Sequence, residues 1–230
     1  MEQAGLETAV DPVGNLTGRL PGTSGRIIAV GSHIDTVPGG GMYDGSYGVL
    51  AAIEAARTLR EHGRILRDTL EIIAFNEEEG NVVGGTFGSK AFAGQPQERT
   101  ALERAGALGI RPDDIEASRR KAAPYRCYLE LHVEQGGVLE REQTPIGIVD
   151  GIVGIARYQV TVPGEANHAG STPMDLRDDA LLHACRLIER MDAISRETDP
   201  QMTCTVGTIS VEPGAVNVVP GRVEFPIELR

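Results

Sequence analysis

Five histidines in 230 residues are few enough that each position matters. His33 lies in Gly31-Ser32-His33-Ile34-Asp35-Thr36, and His132 lies in Glu130-Leu131-His132-Val133-Glu134. Asp44 sits in Tyr43-Asp44-Gly45, and Glu77, Glu78 and Glu79 form an acidic run. Imidazole together with carboxylate is a donor set for Zn²⁺, Mn²⁺, Co²⁺ or Ni²⁺. In an extended segment His33 and Asp35 point the same way, so Asp35 is placed to accept the free ring N–H of His33. Taken singly, a histidine is more often structural than a ligand, and three successive glutamates are more often a solvated turn. His62, before a helix-ending Gly63, and His183, within an amphipathic stretch, are read as structural.

What sets the other residues apart is the elements that would carry them. Ile27-Ile28-Ala29-Val30-Gly31 is short, apolar and β-branched, as a buried strand requires. A glycine loop follows. Ser46 is then a plausible N-cap, with Val49, Leu50, Ile53, Ala56 and Leu59 at helical spacing and Gly63 as the stop. Thr69-Leu70-Glu71-Ile72-Ile73-Ala74-Phe75 is a second strand that runs into the acidic residues. Residues 97–106 and 112–121 read as charged surface helices, and residues 128–134 alternate as a third strand. This β-loop-α-β order predicts a mostly parallel sheet with helices on both faces. In such a sheet the C-terminal strand ends meet on one rim, where ligands bind. His33 and the glutamates follow strands on that rim, and His132 lies towards the end of the third.

The pattern changes near Gly151. Residues 158–162 alternate as a half-exposed strand. Residues 178–196 carry a helical stripe of Ala180, Leu181, Ala184, Leu187, Ile188 and Met191. Residues 202–211 and 222–229 read as strands. We therefore expect an α/β domain over residues 1–150 and a smaller α+β domain over residues 151–230. Strand-like sequence begins almost at once and the chain stops at Arg230 within an expected strand, so both domains are expected to be truncated pieces of a longer protein.

Composition excludes several classes. Hydrophobic residues at 40% and charged residues at 24% are ordinary globular usage. A net charge of −11 argues against wrapping nucleic acid or an anionic membrane, since both need a basic surface. Cys127, Cys185 and Cys204 are an odd count with no CxxC pair, which favours a reducing compartment. No apolar run approaches the ~18 residues of a membrane span. Residues 1–5 lack the basic start of a signal peptide, and the cytoplasm is the expected location.

The run Gly31-Ser32-His33-Ile34-Asp35-Thr36-Val37-Pro38, the acidic segment 76–80 and Glu130-Leu131-His132-Val133-Glu134-Gln135-Gly136 resemble the metal-dependent amidohydrolases of the M20 peptidase superfamily. The branch they resemble holds N-carbamoyl-L-amino-acid hydrolase, allantoate amidohydrolase and β-ureidopropionase. Asn167-His168-Ala169-Gly170-Ser171-Thr172-Pro173-Met174 is similar to that branch's lid motif. The resemblance implies that the first domain is catalytic and the second a lid, with a homodimer and two divalent ions (Zn, Mn, Co or Ni). His33, His132 and Asp44 would hold one ion, and Asp44 would bridge to a second, which Glu79 also binds. Glu78 would be the general base, with Asp35 supporting the catalytic site. His168 would cross the dimer to stabilise the oxyanion. Gln135, Asn217 and Arg230 would hold a carboxylate-bearing small-molecule substrate.

There are departures from the branch. Ile155-Ala156 stands where allantoate enzymes often carry Gln-Arg, which argues against allantoate. The family's final metal-ligand histidine and its N-terminal helices fall outside this chain. The expected activity is hydrolysis of a linear amide or ureido C–N bond, with an N-carbamoyl-L-amino acid giving amino acid, CO₂ and NH₃. The rivals are an allantoate amidohydrolase, an aminoacylase or peptidase of the superfamily, and an inactive fragment that only binds metal.

Overall fold

The structure, a computed structural model, describes residues 1–199 and 201–230. It divides into two compact units, Met1–Ile146 and Gly147–Arg230.

The first unit runs β1 (Glu7–Val10), β2 (Leu16–Leu20), β3 (Ile27–His33), α1 (Ser46–Glu61), β4 (Thr69–Phe75), α2 (Phe87–Ala93), α3 (Arg99–Ala107), α4 (Pro112–Ser118), β5 (Tyr125–Leu129) and α5 (Val138–Arg141). Its sheet has the order β1-β2-β4-β3-β5. β3 pairs in parallel with both β4 and β5. β1 with β2, and β2 with β4, are antiparallel. The sheet is thus mixed, where the sequence predicted a mostly parallel one. β1 and β2 escape the apolar pattern because other parts of the chain cover them. Gly18 of β2 lies under the Met1 and Leu6 side chains, and Arg19 is tied to the buried Glu71.

Helices cover both faces of this sheet. On one face Ala52 and Ala56 of α1 pack with Ile72, Ala4 and Leu6. On the other, Ala29, Ile73 and Phe75 pack with Phe92 of α2 and Tyr125 of β5. Ile72 and Ile73 are both fully buried, which explains why β4 reads as a continuous apolar run and not as an alternation. Each such side chain stabilises the fold by about 1.5–3 kcal/mol. α2, α3 and α4 form a satellite cluster around Phe87, Ala91, Ala101 and Ala105. The third strand lies earlier than its alternation predicted: β5 ends at Leu129, and residues 130–134 are loop. Its ladder with β3 stops at the pair Val30–Leu129. Ser46, read as an N-cap, is instead the first helical residue, and its Oγ donates back to the Met42 carbonyl at 2.6 Å.

The second unit runs β6 (Ala156–Pro163), β7 (Asn167–His168), α6 (Ala180–Thr198), β8 (Cys204–Thr205), β9 (Ser210–Glu212), β10 (Val218–Val219) and β11 (Arg222–Leu229). β11 is the central strand, antiparallel to β6 on one side and to β8 and β9 on the other. The single strand predicted over 202–211 is therefore two. From Glu224 to Glu228 is four steps on β11, against five from Ser210 to Thr205 on its partner. One extra residue breaks the ladder there as a bulge does. α6 lays Ala180 and Ala184 on Val223, Phe225 and Ile227. Among the described residues, no helix is long and apolar enough to cross a membrane.

Candidate metal centre

Three segments of the first unit converge beyond the strand ends. β3 ends on His33, the loop before α1 carries Asp44, and the loop after β5 carries His132. The Nε2 atoms of the two imidazoles lie 3.2 Å apart. Asp44 Oδ1 is 3.4 Å from His132 Nε2. All three ligand atoms lie within 4.8 Å of one another.

The ring orientations have a definite cause. His33 Nδ1 is 2.7 Å from the Asp35 carbonyl, and His132 Nδ1 is 2.8 Å from the Val133 carbonyl. A carbonyl oxygen only accepts, so each Nδ1 carries a proton, and in the neutral ring each Nε2 turns its lone pair inward. Two such lone pairs and a carboxylate oxygen repel one another unless a cation lies between them. The spacing fits one: two nitrogens held at Zn–N distances of 2.0–2.1 Å in a tetrahedron are about 3.3 Å apart.

Close packing fixes His33. Gly45 has φ +63°, and a Cβ there would lie 2.4 Å from the His33 ring. A Cβ on Gly48 would lie 2.1 Å from the Leu131 carbonyl oxygen. The start of α1 is thus pressed against both histidine-bearing segments, at a distance that only glycine allows.

Asp35 does not bond to the His33 ring through its side chain, contrary to the sequence expectation. Its main-chain carbonyl takes the ring N–H, while its Oδ1 stays 4.0 Å from Nδ1. The carboxylate instead accepts the main-chain N–H groups of Glu78 at 3.2 Å and Glu79 at 2.9 Å. It therefore ties the His33 segment to the acidic loop.

The three glutamates are not a solvated turn. Glu77 folds its own loop by accepting from the N–H groups of Val82 and Val83. Glu78 accepts from Ser89 N–H at 2.8 Å and Ser89 Oγ at 2.9 Å. Burial pushes the Glu78 carboxyl above its ordinary pKa, and the Ser89 bonds offset part of that rise. Glu79 places Oε1 3.7 Å from His33 Nε2, on the rim of the three-residue cluster. A cavity of about 550 Å³ runs beside the site, with Ser32, His33, Glu78 and Ser89 along one wall. Ser89 was not legible in the sequence, since a lone serine in a helix carries no signal.

Gln135 adopts φ +58° and donates from Nε2 to Asp44 Oδ1 at 2.7 Å. A substrate role was expected for it, and here its amide orients a carboxylate of the cluster. Glu134 caps α5, accepting from Val138 and Leu139 N–H.

The second unit holds the remaining expected residues. His168 pairs with Val218 in the β7–β10 ladder, and the Ala169 N–H donates to the Asn217 carbonyl, so His168 and Asn217 share one corner. His168 is exposed, and its Nδ1 accepts from Gly170 N–H, which leaves Nε2–H free to donate outward. Arg230 follows the end of β11, and its Nε donates to Glu228 at 2.7 Å.

A mixed α/β sheet thus gathers two imidazoles and a carboxylate beyond the ends of its parallel strands, a donor set that could hold a divalent ion. The chain belongs to Peptidase family M20/M25/M40, whose model matches residues 29–221. It is 41% identical to an N-carbamoyl-L-amino-acid amidohydrolase of Paenarthrobacter aurescens and 42% identical to an allantoate amidohydrolase of Bacillus subtilis (strain 168). All of this chain and 59% of each relative are covered, so the chain spans about three-fifths of their length. A solved hydantoinase/carbamoylase family amidase from Burkholderia ambifaria aligns over the whole chain and 59% of its own, with a TM-score of 0.80 and 35% identity.

Proposed function

We propose that the chain carries the metal-binding part of an amidohydrolase that cleaves linear amide or ureido C–N bonds, with N-carbamoyl-L-amino acids as the substrate class. The observation that carries this reading is the inward-facing Nε2 pair of His33 and His132 beside Asp44, at tetrahedral ligand spacing. The names of the similar amidohydrolases support the reaction type.

His33, His132 and Asp44 would hold one divalent ion, and Asp44 with Glu79 would contribute to a second. Such an ion, when bound, polarises the scissile carbonyl and lowers the pKa of water towards neutrality. Glu78 takes the proton of the attacking water and returns it to the leaving nitrogen. Its raised pKa brings it closer to working pH, where a general base is most effective. Ser89 holds that carboxylate in place, and Asp35 and Gln135 hold the acidic loop and Asp44. Across the proposed dimer, His168 would offer its ring N–H to an oxyanion developing in the partner subunit's site. Asn217 and Arg230 would engage a substrate carboxylate, which the guanidinium fork matches bidentately. We further propose a homodimer formed through the lid expected over residues 151–230, and a cytoplasmic location. Three free cysteines agree with a reducing compartment.

The test is a substrate panel, run on this chain and on a form extended to the relatives' length, loaded with Zn²⁺, Mn²⁺, Co²⁺ or Ni²⁺. N-carbamoyl-L-amino acids should give the highest kcat/KM, above allantoate, N-acyl amino acids and dipeptides. Preference for allantoate would transfer the assignment to the function named for the Bacillus relative. Metal binding without turnover in both forms would leave only an inactive binding fragment.

A further inference from the structure

The ladder between β3 and β5 ends at Val30–Leu129, yet the two imidazoles that must meet lie beyond it, at positions 33 and 132. On the β5 side, nothing in the main chain pairs Gly31, Ser32 and His33 with residues 130–132. Besides the two rings themselves, the Glu130 side chain spans this gap. Glu130 Oε1 accepts from Ser32 Oγ at 2.5 Å, and its Oε2 accepts from Tyr128 OH at 3.0 Å. Ser32 is 1% exposed and directly precedes His33, while Glu130 stands two residues before His132.

We propose that Glu130 is a positioning residue for the metal centre: its carboxylate clamps the β3 terminus to the β5 terminus and thereby sets the spacing of His33 and His132. Glu130 binds no ion in this account. It acts as the partners of metal-binding histidines do, by fixing where the ligand rings point. The two carboxylate oxygens give each hydroxyl an acceptor of its own. Burial and the neighbouring Glu130 push the Tyr128 phenol well above its ordinary pKa, so its O–H stays available to donate. Gly48 packs against the Leu131 carbonyl and Ser32 Cβ, so α1 supports both segments from one side while Glu130 ties them to each other.

This inference rests on the metal reading above, so its experiment has one arm that needs metal and one that does not. In the first, the chain is titrated with Co²⁺ and followed by visible absorption. Glu130→Ala should weaken Co²⁺ binding by about 10–100-fold, the usual cost of losing such a partner, and should alter the ligand-field bands. Ser32→Ala and Tyr128→Phe, which remove one arm each, should give smaller losses. Combining Ser32→Ala with Glu130→Ala should add little to Glu130→Ala alone. Glu130→Gln keeps the volume and one acceptor oxygen, and should recover part of the affinity. In the second arm, the metal-free chain is studied by NMR. The nuclear Overhauser contact between the His33 and His132 rings, whose centroids are 5.4 Å apart, should be present in the parent and lost in Glu130→Ala. Persistence of that contact in Glu130→Ala overturns the clamp, as does Co²⁺ binding and a spectrum equal to the parent's. Failure of the parent to bind Co²⁺ would sink the metal reading alone, because the ring contact still decides the clamp.

Discussion

Replacing Gly45 with alanine tests how the site is held. Gly45 has φ +63° and ψ −47°, a region closed to residues with a side chain at a cost of roughly 1–3 kcal/mol. The added Cβ would also meet the His33 ring at 2.4 Å, against the 3.4 Å at which ordinary contact begins, so the ring must retreat by about 1 Å. Gly39 provides the control, since it has φ +75° but nothing within 4 Å of its Cβ position. Gly39→Ala should cost about 1 kcal/mol of backbone strain and lower the unfolding midpoint by ~2–4 °C. Gly45→Ala should cost about 3 kcal/mol and lower it by ~6–12 °C. The decisive readout is metal. Ligand positions tolerate only ~0.2 Å, so a ring displaced by about 1 Å should weaken Co²⁺ or Zn²⁺ binding by at least about tenfold. Gly39→Ala should bind as the parent does. The two variants would be compared by calorimetric titration and thermal melts. Parent-like affinity in Gly45→Ala would refute the claim that the loop before α1 seats the His33 ring.

Dialysed chain should retain nearer one divalent ion than two, because the described residues gather one three-ligand cluster; elemental analysis gives the count, and His33→Ala should empty the site while His62→Ala leaves it filled. Glu78→Gln should preserve metal content while hydrolysis by an active, extended form falls by about 10²–10⁴-fold, whereas Glu79→Gln should lower metal content; exchanged phenotypes would place the acidic run one residue out of register. In the second unit, Asp179 Oδ1 caps α6 by accepting from Leu181 and Leu182 N–H. Asp179→Ala should therefore destabilise that unit by about 1 kcal/mol, seen as a lower denaturant midpoint, and leave metal binding unchanged.

What could be read from the sequence was what depends on one element and its period. The strand over Thr69–Phe75, the strand over Arg222–Leu229 and the helical stripe now seen in α6 are self-contained patterns, and each is present. The misses share a cause, which is that partners far along the chain decided the outcome. β2 carries Gly18 and Arg19 instead of an apolar run because Met1 and Leu6 fill over the glycine and Glu71 neutralises the arginine. Residues 130–134 alternate as convincingly as any strand in this chain, yet they form loop. Their alternation comes from chemistry, with Glu130 reaching Ser32, His132 facing His33 and Glu134 capping α5. Asp35 illustrates the same point within the site. Its period-2 relation to His33 was sound for the strand, but β3 ends at His33, so the chain turns and only the carbonyl of Asp35 meets the ring. The freed carboxylate then finds the N–H groups of Glu78 and Glu79, more than forty residues away. Residue type and spacing therefore identified which side chains gather at the rim, while their individual tasks were set by where each strand stops. That is a property of the ladders between strands, which no single segment's pattern contains.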